Sequence, residues 1–181
     1  MSILIDYDPT AVSPRPTGLV RAIVSNITDM GNKPDPFHEG RQKHQVAITW
    51  QLEHTWTDIK TKKQIPLQQT ELYNCTLHEK GKLRPIIEGI IGKSLGPSGA
   101  KLSFDIETLI GKSCVLNIGP QPDNDKFTEV KAAAPLMPGM QPLTMVQMPV
   151  AQWILDLRDG KTKPKETSTD ITNLDAIVAA I

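Results

Sequence analysis

Residues 73–84 read Tyr-Asn-Cys-Thr-Leu-His-Glu-Lys-Gly-Lys-Leu-Arg, and the fold assignment turns on them. Tyr73, Cys75 and Leu77 alternate with polar residues at the two-residue period of a strand, which puts all three on one face. Lys80, Lys82 and Arg84 follow at once. Leu83, Ile86, Ile87, Ile90 and Ile91 then recur at the spacing of a helix face over 83–91. Pro85 falls in the first turn of that helix, where no backbone donor is required. A strand therefore leads through a basic cluster straight into a short apolar helix.

Two β segments precede this stretch. Residues 18–28 place Val20, Ala22 and Val24 in alternation with Arg21 and Ser25, and a Gly- and Pro-containing loop is expected over 31–42. In 45–52, Val46, Ile48, Trp50 and Leu52 alternate with Gln45, Ala47, Thr49 and Gln51, the pattern of a half-buried strand with Trp50 in the core. A polar, Lys-rich hairpin region is expected over 54–68. Two further strands follow the helix, at 114–118 and at 127–132, the last with Val130 and Ala132 facing inward. Between helix and strand, 104–110 reads as a short turn.

The order β-β-β-α-β-β predicts a mainly β protein: a five-stranded OB-fold barrel over 18–134, with one helix between strands 3 and 4 plugging an open end. Residues 1–17 carry Pro9, Pro14 and Pro16 and read as an extended lead-in. Residues 135–167 read as a Pro-rich arm and polar linker, since Pro135, Pro138, Pro142 and Pro149 exclude regular structure over 135–149. In 168–181, Ile171, Leu174, Ile177, Val178 and Ile181 recur at helical spacing behind Ser168, Thr169 and Asp170, predicting a short amphipathic helix. Such a helix docks on its own barrel or on a partner.

The 181 residues include 20 Lys and Arg and 20 Asp and Glu, for a formal net charge of zero. Coating of nucleic acid by bulk charge is thereby excluded, and any such binding must come from a local patch. A patch exists: residues 55–101 hold eight basic side chains against four acidic ones. Cys75 and Cys114 both fall in apolar strand patterns and are read as core thiols of a reducing compartment, which places the chain in the cytoplasm. The N-terminus lacks the features of a signal peptide, and no apolar run approaches a membrane span.

Catalytic chemistry finds no foothold. The four histidines and two cysteines lack metal-ligand spacing, and no nucleophile elbow or dinucleotide fingerprint occurs. Gly89–Ser94 imitates a phosphate loop but lacks the first glycine at the required spacing and sits inside a helix-like run. No enzyme activity, cofactor or metal is expected. Binding of single strands needs cations along a backbone and flat rings for stacking. The candidate cations are Arg41, Lys43, Lys60, Lys62, Lys63, Lys80, Lys82 and Arg84. The candidate rings are Phe37, Trp56, Tyr73 and Phe127.

The stretch 73–84, Leu-Ile-Gly-Lys-Ser-Cys-Val-Leu-Asn-Ile at 109–118, Pro-Leu-Met-Pro-Gly-Met at 135–140 and Trp-Ile-Leu-Asp-Leu at 153–157 together resemble the phage-encoded single-stranded DNA-binding proteins of the OB-fold. The resemblance covers about two thirds of the chain, with the motifs in matching order. It implies binding of single-stranded DNA in phage replication or recombination, in the host cytoplasm and without catalysis, with Lys80, Lys82 and Arg84 where the matching motif has its basic residues. Replication or recombination proteins, or a second copy of the chain, are the partners expected at the C-terminal helix. The competing expectation is a barrel module that binds protein, as an assembly factor or an inhibitor of host defence. Its support is the neutral charge, the scarcity of rings and the apolar terminal helix.

Overall fold

The computed structural model describes residues 15–35, 37–57 and 61–161, with Asp125 and Lys126 described by backbone alone. Residues 1–14 of the lead-in expected over 1–17, Lys60 and the helix expected at 168–181 lie outside these residues. Five strands form one antiparallel sheet: β1 (Gly18–Pro34), β2 (Gln42–Thr57), β3 (Gln64–Asn74), β4 (Ser113–Gln121) and β5 (Asn124–Pro135), in the order β3-β2-β1-β4-β5. The helix α1 (Leu83–Ile91) follows β3, a 3-10 turn occupies Ile106–Leu109, and α2 (Gln152–Arg158) comes last.

Trp50, Ile48, Val46 and Leu52 from β2 meet Val20, Ala22 and Val24 from β1, and Leu83, Ile86, Ile87 and Ile90 from α1 close over them. The rings of Trp50 and Tyr73 pack edge to face, with centroids 6.4 Å apart, the geometry their quadrupoles favour. Helix α1 stops at Gly92, whose left-handed φ of 70° lets its N–H reach the Glu88 carbonyl. Cys114 is buried in this core, and burial pushes its thiol up to about 12.

The sheet curls until its two edge strands come within hydrogen-bond reach. They are joined there by side chains: Gln69 Nε2 donates to the Thr128 carbonyl at 3.1 Å, and Glu71 Oε1 accepts from the Val130 N–H at 3.0 Å.

Several local expectations fail for physical reasons. Strands β1, β2 and β3 run well into the stretches read as loops, because pairing partners supply order that Gly, Pro and Lys do not signal. Cys75 is exposed, since β3 ends at Asn74 and the chain turns away there. Ala132 is exposed while Val130 and Ala133 pack on the core. The register passes from Asn117↔Ala132 to Ile118↔Val130, so a bulge at Lys131 shifts the inward phase by one residue.

The largest surprise is β2. Every residue from Val46 to Leu52 is buried, including those of the supposed solvent face. The chain after β5 covers that face. Gln51 donates its amide to the Val146 carbonyl and accepts from the Val146 N–H at 2.9 Å. The Leu143 N–H reaches Ser113 Oγ at 3.1 Å, and Gln68 Nε2 reaches Met148 Sδ at 3.4 Å. Residues 136–151 have no regular structure, as the prolines require, yet they are strapped down. The strap ends in α2, a helix within the stretch expected to be arm and linker, whose Ile154 is buried with Met30 and Ala47 in a second small core.

Candidate nucleic-acid interface

The turn between β1 and β2 is built around Asp35. Its carboxylate is almost wholly buried and accepts from the Phe37 N–H at 3.0 Å, with His38 Nδ1 and Lys43 Nζ each at 2.9 Å. Desolvation pushes this carboxyl up, but the bonds from Lys43, Phe37 and His38 outweigh it and bring it to about 2, against an ordinary 3.8. A depressed carboxylate stabilises the fold fully above its unfolded value and loses that contribution as pH falls through the folded one. Asp35→Asn is therefore expected to lower the thermal midpoint at neutral pH. The gap to the parent should close between about pH 4 and pH 2; a gap that persists at the acid end would refute the assignment. The same network engages Lys43, which sits 5.9 Å from the centroid of the Phe37 ring. Lys43 already has a carboxylate partner, so it is not the uncommitted phosphate contact expected. Phe37, 83% exposed, and Arg41 stand open to solvent.

The loop after β3 leaves from the same end of the sheet, because Gln45 pairs with Asn74 and the Cys75 N–H bonds to the His44 carbonyl at 2.8 Å. Lys80 and Lys82 are exposed on it. Arg84 is not: it is buried, with Nε 3.0 Å from Glu88 Oε1 and Nη2 donating to the Gly96 carbonyl. Glu88 also accepts from the Leu95 N–H. Arg84 thus holds α1 to the loop behind it and is corrected from a DNA contact to a structural side chain. Tyr73 is corrected likewise, being 6% exposed and packed on Trp50. At that exposure its ring offers little surface for a base to stack on.

At the far end, backbone pairing of β1 with β2 begins only at Ala22↔Leu52, and β2 and β3 continue as a two-stranded ribbon in which Trp56 pairs with Ile65. Trp56 is 46% exposed, and Lys62 and Lys63 are exposed a few residues further along the chain. Lys43 and Trp56 stand near opposite ends of β2. The sequence-derived set is therefore two basic groups at two ends of a long hairpin, not a single patch.

Between those ends, β3, the β4–β5 turn and the start of α2 enclose a groove of about 290 Å³. Phe127, 46% exposed, lines it, and Arg15 Cζ lies 5.8 Å from its ring centroid. Trp153 and Arg15 also line the groove, and neither stands among the rings and cations that the sequence singles out. The available signal is Trp153 in the apolar run after Pro149; its position depends on the strap.

No protein-family model and no curated protein matches the chain. Among the described residues no three His, Cys, Asp or Glu side chains are grouped to hold a metal, and no helix is long and apolar enough to cross a membrane.

Proposed function

We propose that this chain is a sequence-tolerant single-stranded DNA-binding protein on an OB-fold barrel, acting in phage replication or recombination. The strand order and the approach of β3 to β5 support the barrel. The observation that carries the function is the placement of the rings. Phe37, Trp56 and Phe127 remain exposed at 83%, 46% and 46%, and two of them lie under a cation. Exposed rings beside cations are the surfaces on which unpaired bases stack.

Anisotropy of a labelled oligo-dT of about thirty bases tests the reading, because an OB-fold covers roughly 4–16 nucleotides. Expected are binding to the single strand in preference to a duplex of equal length and a steep loss of affinity as salt rises. Affinity flat across the salt series would sink it.

The protein-binding alternative retains one favourable observation. Among the described residues the ribbon of Thr55–Thr57 on Gln64–Pro66 stands beyond the β1 pairing, and a strand edge of this kind can accept an added strand.

A further inference from the structure

We infer that residues 136–158 form a strap that completes a nucleobase-binding groove, with Trp153 and Phe127 as its stacking surfaces and Arg15 as its phosphate contact. The inference rests on the single-strand reading above and names a site within it.

Helix α2 has seven residues, too few to persist by its own hydrogen bonds. Its position is set by separate anchors. Gln51, 2% exposed, holds the Val146 backbone from both sides. Ile154, 1% exposed, fills the space at Met30 and Ala47. Lys33 Nζ donates to the carbonyls of Leu157 and Arg158 at 2.9 and 2.8 Å, satisfying the open C-terminal end of the helix.

With Ile154 buried inward, its neighbour Trp153 stays 38% exposed and lines the groove across from the β5 edge. The chemistry of the lining suits a base. Two rings offer π-faces, and Gln68 and Gln121 supply amides able to meet either donors or acceptors on a base edge. Glu71, the acid of the groove, is engaged by Gln69 and the Val130 N–H. Arg15 is the cation of the lining, and a guanidinium over a ring is a common partner for a nucleotide's base and phosphate together. A volume of about 290 Å³ lies just below the usual range of ligand pockets, roughly 300–1,000 Å³. That is room for a base, not for a duplex.

The test uses the full chain carrying Trp56→Phe, so that Trp153 is the exposed indole and Trp50 a buried one. Titration with oligo-dT is expected to quench the emission. Trp153→Ala and Phe127→Ala should each weaken binding roughly 5- to 100-fold, and Trp153→Phe should restore most of the affinity. Oligo-dT binding that remains sensitive to Lys80→Glu with Lys82→Glu, yet shows no quenching and no response to Phe127→Ala, would overturn the groove and leave the single-strand reading standing. Absence of any oligo-dT binding by the parent chain would overturn both.

Discussion

Gly89→Ala is expected to destabilise the protein by about 4 kcal/mol or more, lowering its thermal midpoint by about 10 °C. In an isolated helix the change would help, since alanine exceeds glycine by about 1 kcal/mol. Here a Cβ on Gly89 would stand 2.0 Å from the Ala133 carbonyl oxygen and 2.6 Å from its carbon. Both are backbone atoms of β5 and cannot rotate aside. Helix α1 would have to back away, loosening Ile86, Ile87 and Ile90 from the core they close. Gly119→Ala is the control. Its Cβ would meet the Lys131 side chain at 3.2 Å, and a flexible lysine yields for less than about 1 kcal/mol. Equal midpoints for the two variants would show that α1 does not rest against β5. A glycine that resembles part of a phosphate loop in sequence is thus explained by packing.

Lys80→Glu combined with Lys82→Glu is expected to weaken oligo-dT binding at least about tenfold at low salt and to flatten its salt dependence. On a single strand, every phosphate that a protein no longer neutralises lowers the slope of log K against log salt by about 0.7, so the pair should lower it by about 1.4. Both side chains are exposed, so the thermal midpoint should change little. Arg84→Ala should do the reverse. It removes the tie to Glu88 and Gly96, so stability falls while the salt slope is kept. A slope reduced by Arg84→Ala and unchanged by the lysine pair would invert the assignment. Three adjacent basic residues look alike in sequence, and the start of α1 at Leu83 is what separates them.

The mainly β class, the apolar face of α1 and the core position of Trp50 were legible because each is a periodic pattern that a single element imposes on its own residues. Phe37, Trp56, Lys80 and Lys82 were legible as exposed candidates for a similar reason: they fall in or beside breaks of those patterns. Tyr73 and Cys75 show the limit. They share a phase in sequence, yet β3 ends between them, and only the pairing with β2 determines where a strand ends. Ala132 fails through the bulge at Lys131, which leaves no trace in the residue types.

Local period and turn chemistry act within a few residues, and they were enough to locate the five strands and to say which face of α1 turns inward. Long-range packing had to supply the rest: the cover over the polar face of β2, the burial of Arg84 as a tie, and the groove shared by Arg15, Phe127 and Trp153. Those outcomes depend on contacts between residues as distant as Gln51 and Val146. A side-chain amide meeting a backbone amide across that separation has no periodic signature, because any exposed glutamine would read the same until the strap lies over it.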